Sequence, residues 1–216
     1  MPPRLQRLRD LAPPVALPRW GYAQLAGRFV ELSGCRGSAV LTLAFGLVRE
    51  AQQQGDPVAW VSLTRSTFFP PDAAEGGVDL DCLPVVLAPD ARAAAWAADQ
   101  LVRSGGFGLV VLDLGGPPPG AEAARRIPDP LQQRLVGLAQ AHGSAVVALT
   151  AKPAEAPSLG SLVSLRAEAR RLPGFEPAAE GAAGFPCRLE VRVLKDKRRG
   201  PGRVHREVCR GPAGLH

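Results

Sequence analysis

The chain has 216 residues, 46% of them hydrophobic, and a formal net charge of +6 at pH 7. That length fits one α/β domain with a full core rather than two large ones. No apolar run reaches the roughly eighteen residues of a spanning helix, and the opening MPPRLQRLRDL lacks the apolar core of a signal peptide, so a cytoplasmic protein with no membrane partner is expected.

Cys35, Cys82, Cys187 and Cys209 are widely spaced without a CxxC pair or clustered histidines. Neither a zinc site nor a disulfide framework is indicated, and no metal, cofactor or catalytic residue is expected. Arginine outnumbers lysine by 23 to 3, which a GC-rich coding bias would also produce, so placement is more informative than number. Residues 186–210 hold nine cations and three acids, equal to the whole net charge. Such a segment suits nucleic acid or an acidic partner surface, although charge runs are often only solvated faces.

In chain order, residues 4–12 place Leu5 and Leu8 at helical spacing with Arg4 and Arg7 beside them, before Pro13, Pro14 and Pro18. The expected result is a short amphipathic arm on a stiff linker, docking on its own core or on another chain. From residue 27 the pattern alternates. Strands are predicted at 29–32, 58–63, 83–87, 109–112 and 145–149, with helices at 38–54, 92–103 and 131–141. Short apolar strands separated by longer helices indicate a parallel sheet covered on both faces. The runs 162–166, 187–194 and 204–208 alternate polar with apolar residues and are predicted to be antiparallel edge strands. Gly- and Pro-rich linkers are expected at 115–120 and 174–184.

The segment from Arg28 to Gly34 has the form of a strand leading into a phosphate-binding loop. A working loop reads G-x-x-x-x-G-K-[ST], because glycines let backbone N–H groups surround the phosphate, a lysine reaches the terminal phosphates and a hydroxyl ligates magnesium. Counted from Gly34, with Gly37 inside the loop, those last three places hold Ala39, Val40 and Leu41. A residual anion site and a purely structural turn are both readable here. Branched apolar groups where water and phosphate belong favour the turn, although an ATPase with an unconventional loop is a third reading.

The wording GRFVELSG, GVDLDCL, AADQLVRSGGFGLVVLDL and LEVRVLKDKRRGP resembles the core of the RecA recombinase family over residues 27–210. The resemblance implies a RecA-like, mostly parallel twisted sheet flanked by helices, with antiparallel strands added at the C-terminal end. It divides the chain into an arm and linker (1–26), a core (27–210) and a tail (211–216). It also implies that the phosphate lysine is replaced by Val40, the magnesium hydroxyl by Leu41 and the water-activating glutamate by Thr64. Asp113 matches the acidic residue after an apolar strand that helps hold magnesium, and alone it reads as a helix or loop cap rather than a metal ligand.

Lys195 and Lys197 match paired lysines that reach a neighbouring subunit's nucleotide. With Arg198, Arg199, Arg203 and Arg206 they form the candidate DNA- or partner-binding set. The second DNA loop is reduced to Lys152-Pro-Ala-Glu-Ala-Pro157, with one cation and no aromatic residue.

Among RecA-like proteins, a short chain with a decayed loop is most similar to the ImuA accessory proteins of mutagenic translesion synthesis. That likeness implies a recombinase or translesion polymerase partner, weak DNA contact and action within the SOS response. SulA-like inhibitors of the division tubulin homologue are the second resemblance.

Overall fold

The computed structural model describes residues 20–35, 38–64, 68–115, 126–172 and 185–211. The expected arm with Arg4, Leu5, Arg7 and Leu8, the loop position Gly37, and nearly all of both linkers lie outside the described residues.

Eight strands form one sheet in the order β3-β2-β4-β5-β1-β6-β7-β8. They are β1 (Arg28–Ser33), β2 (Val58–Leu63), β3 (Val85–Ala88), β4 (Leu109–Asp113), β5 (Ala145–Thr150), β6 (Leu165–Leu172), β7 (Phe185–Asp196) and β8 (Val204–Gly211). The helices are α1 (Val40–Gln53), α2 (Pro70–Glu75), α3 (Ala91–Arg103) and α4 (Asp129–His142). The first six strands in chain order pair in parallel, and β7 and β8 add antiparallel pairs at one end. This is a mostly parallel sheet with flanking helices and antiparallel strands at its C-terminal end. Among the described residues no helix is long and apolar enough to cross a membrane.

The period of two along each central strand divides the core between the two faces. Val30 and Leu32 of β1, Trp60 of β2 and Val147 of β5 pack with Leu43, Phe45, Leu47 and Val48 of α1. Phe29, Val61, Val110, Leu112 and Val146 face the other way, against α3 and α4. Helix α3 presents Ala91, Ala94, Ala95 and Ala98, all fully buried, and side chains this small let it lie close to the sheet. Its first turn is capped by Asp90, whose carboxylate accepts the Ala93 N–H at 2.8 Å. Asp99 of α3 then accepts two hydrogen bonds from Arg134 of α4, at 2.9 and 2.8 Å, and pairs with Arg103 at 3.1 Å.

Several expectations are corrected. Of the run predicted as an antiparallel edge strand at 162–166, only Leu165 and Arg166 are strand, at the start of β6, which is interior, parallel to β1 and antiparallel to β7. Its polar alternation is not a solvent face, because Arg166 and Glu168 are buried like the apolar residues between them. β3 is instead an edge strand, starting two residues later than predicted and leaving Leu87 67% exposed. Helix α2 and the 3-10 turn Tyr22–Gln24 are too short to leave a helical period in the sequence. Cys187 and Cys209, distant in sequence, occupy directly opposed register positions on β7 and β8.

Candidate functional site

The described residues at either end of the loop after β1 bond to the protein. The Gly34 N–H donates to Thr150 O at 3.2 Å, the Ala39 N–H to Ala169 O at 3.3 Å and the Val40 N–H to Ser38 Oγ at 3.2 Å. These donors have protein acceptors, and Ser38 makes a bridge to Arg170 of β6. A Cβ at Gly34 would approach Ser38 Oγ to 2.5 Å and Ala169 O to 2.9 Å, so close packing alone requires glycine there. Ala39 and Val40 are buried, and Leu41 packs against the same core. Helix α1 therefore begins in apolar contact, where lysine and hydroxyl groups would otherwise reach out.

The two other positions singled out by the resemblance lie at the ends of β2 and β4, on one side of β1 and separated from it by β5. Thr64 is exposed, and its N–H donates to Ala88 O at 3.0 Å. Asp113 is buried, not exposed as a solvated metal ligand would be. Its carboxylate accepts from Ser62 Oγ at 3.3 Å and from the Gly115 N–H at 3.0 Å, two residues on, as a loop cap does.

Sequence reasoning missed the most heavily engaged carboxylate. Glu31 is fully buried in β1. It accepts from Thr150 Oγ1 at 3.0 Å, Ser158 Oγ at 2.9 Å and the Leu159 N–H at 2.9 Å, and Lys152 Nζ lies 2.6 Å away. Arg166 stands 3.8 Å from it and donates to the Ala156 and Pro153 carbonyls, while Lys152 also donates to Pro157 O at 2.6 Å. The one cation of the shortened loop is thus directed inward and holds residues 153–159 onto the sheet. An acid amid the apolar residues of FVELS was the available signal.

The hairpin cations divide into groups with different tasks. Lys195 Nζ donates to Gly160 O at 3.4 Å and Ser161 O at 3.2 Å, and burial, with Lys197 nearby, moves its pKa below the ordinary lysine value. Lys195 is therefore occupied with the fold, contrary to the expectation of a lysine free for DNA or acids. Arg203 pairs with buried Asp196, which also receives Arg28 at 2.7 Å and the Arg198 N–H at 2.8 Å. Burial would raise the Asp196 pKa, but Arg28 and the backbone N–H groups of Arg198 and Arg199 bring it below the usual aspartate range. Arg206 pairs with Glu190 at 2.8 Å, and Arg198 reaches the Ala26 and Gly27 carbonyls at 3.5 and 3.4 Å. Among the described residues, Lys197 and Arg199 are exposed and have no side-chain partner. Gly200 and Gly202, with φ of 76° and 91°, make the turn that presents them.

Residues 11–138 match the family model of the RecA N-terminal domain. Protein RecA of Fusobacterium nucleatum is 40% identical over 88 residues, covering 40% of this chain and 23% of that protein. Protein RecA of Nocardioides sp. is 36% identical over 105 residues, covering 48% and 29%. The chain thus spans less than a third of the length of these relatives. The crystal structure of the RadB recombinase superposes with a TM-score of 0.61 at 17% identity, over 84% of this chain and 87% of that one, which shows the shared fold. With a family match over more than half its length and a sheet of the same architecture, the chain belongs to the RecA N-terminal domain family.

Proposed function

We propose that the protein is a non-catalytic RecA-type accessory factor of the DNA-damage response, of the ImuA kind, which supports error-prone translesion synthesis. The observation that carries this lies at the ends of the loop after β1: the Gly34, Ala39 and Val40 N–H groups bond to protein acceptors, while Val40 and Leu41 fill the lysine and hydroxyl places. A RecA scaffold kept without that chemistry is useful for its surfaces. The protein docks on a recombinase or a translesion polymerase through those surfaces and the arm at 1–26, while the hairpin cations touch DNA weakly in the cytoplasm and at the nucleoid. Having no nucleotide-dependent step, it caps a recombinase filament and lowers recombination.

The test combines calorimetry with ATP and strand exchange by a recombinase in the presence of the full chain. No heat with ATP and stoichiometric inhibition of exchange are expected. Micromolar ATP affinity or turnover overturns the non-catalytic role, and the absence of any complex with recombinase or polymerase overturns the accessory role.

A further inference from the structure

We propose that the chain assembles with further copies of itself through the two ends of its sheet, the open edge of β8 in one copy pairing with the open edge of β3 in the next. Among the described residues, β3 and β8 end the sheet and neither has a strand on its outer side. An unpaired edge is a template for another strand.

The backbone shows which groups each edge offers. The Trp60 and Thr64 N–H groups bond to the Pro84 and Ala88 carbonyls, at 2.9 and 3.0 Å. Alternate residues of a strand turn their backbone groups to opposite sides, so the N–H and C=O of Val85 and Leu87 face outward. At the other end the Val193 N–H bonds to Arg203 O at 2.8 Å, and the same alternation directs the groups of Val204, Arg206 and Val208 outward. The side chains at both edges are apolar and uncovered: Leu87 is 67% and Val208 60% exposed, and Val85 and Val204 are exposed with them.

The two ends carry opposite charge. Residues 68–92, around β3, hold five acids (Asp72, Glu75, Asp79, Asp81, Asp90) and one cation (Arg92), a formal −4. Residues 195–207 hold six cations and two acids, a formal +4. Each end therefore repels its own kind in a second copy and attracts the other. A contact between unlike surfaces is heterologous and grows open chains instead of closed dimers.

The faces of the sheet select the direction of pairing. Val85 and Leu87 are in register with Trp60 and Ser62, and Trp60 packs in the α1 cluster. Leu189 and Val191 belong to that cluster too, and they oppose Glu207 and His205, so Val204, Arg206 and Val208 lie on the other face. Parallel addition would set Val85 and Leu87 against His205 and Glu207 of the incoming copy. Antiparallel addition turns that copy over and sets them against its Val204, Arg206 and Val208, which gives an apolar cross-strand contact. It also brings the incoming turn, with Lys197 and Arg199, to the end of β3 that Asp90 follows.

This assembly needs no recombinase, polymerase or DNA, so its failure leaves the accessory role untouched. Sedimentation velocity of the full chain is recorded over a series of concentrations at about 50 mM and about 0.5 M salt, and association is expected to grow with concentration and to weaken about tenfold at the higher salt. Leu87→Lys sets a cation against the basic hairpin, and Val208→Pro removes a donor that its own sheet does not use. Each variant alone is expected to be monomeric, and the two mixed to form one-to-one dimers and nothing larger, since each keeps one intact edge. Urea unfolding of both variants shows that they are folded, and Leu87→Lys, at an exposed side chain, suffices if the proline variant is not.

A parent chain that stays monomeric at every concentration overturns the proposal and leaves the two edges to the chain's own remaining segments or to another protein. Undiminished association in Leu87→Lys, or a closed dimer that stops growing, overturns it as well. Two folded variants that remain monomers when mixed overturn the pairing of β3 with β8.

Discussion

Glu31 shows how much one side chain can organise. A buried carboxylate carries a large desolvation cost, and here Lys152, Thr150, Ser158 and the Leu159 N–H together offset it. Its value is positional, since it sets where the chain after β5 runs. Removing it leaves Lys152 and Arg166 facing each other around a vacated space. Glu31→Ala is therefore expected to lower the unfolding free energy by about 3 kcal/mol, measured by urea denaturation, with Glu31→Gln losing less because the amide still accepts hydrogen bonds. A change below about 0.5 kcal/mol in Glu31→Ala would mean that the network contributes nothing to folding. The residue stood in plain view within FVELS, but its partners could not be read there. Thr150 is 119 positions away, and no local pattern encodes a contact at that separation.

At the scale of elements, the start of α1 is the informative feature. Its apolar residues at 39–41 were legible as a departure from a phosphate loop. What they pack against, and the bonds made by the loop N–H groups to Thr150, Ala169 and Ser38, came only from the folded chain. Reinstating the lysine alone goes against this packing. Val40→Lys puts an ammonium where a side chain is 92% buried, since Val40 is 8% exposed. The expected cost is about 3 kcal/mol, read as a lowered melting temperature, with no ATP binding gained by calorimetry. Micromolar ATP affinity in this variant would show that the loop opens readily. The sheet's central strands were legible for a related reason: β2 at Val58–Leu63 is an apolar run broken only by Ser62 and set between turn signals, matching the predicted 58–63. β6 was misjudged because polar alternation looks the same whether the polar side chains meet water or buried partners. Arg166 and Glu168 meet buried partners.

Over the whole molecule, two buried aspartates link distant parts. Asp99 of α3, paired within its own helix with Arg103, joins α3 to α4 through Arg134, and Asp196 joins the start of β1 to the hairpin through Arg28. Hydrogen bonding to Arg134 holds the Asp99 pKa below the usual value, against the effect of burial, and Asp196 is lowered as well. A carboxylate with a depressed folded pKa binds protons more weakly folded than unfolded. Its contribution is complete above about pH 4, the unfolded aspartate value, and is lost as pH falls through the folded pKa. The urea midpoint is therefore expected to fall steeply below about pH 4, and to fall less in Asp99→Asn, whose starting stability is lower. Equal acid sensitivity in the two proteins would remove Asp99 from the account.

The sequence by itself determined the order of the strands and of the three longer helices, the apolar replacements at Ala39, Val40 and Leu41, and the concentration of positive charge near the C-terminal end, because periodicity, loop chemistry and charge are properties of neighbouring residues. Tertiary structure decided which charges remain available. Lys195 and Lys152 turn inward, Arg203 serves Asp196, and Lys197 and Arg199 face solvent on one glycine turn beside Trp20. A charge is committed only by the group folded against it, and the Arg28–Asp196 pair spans 168 positions.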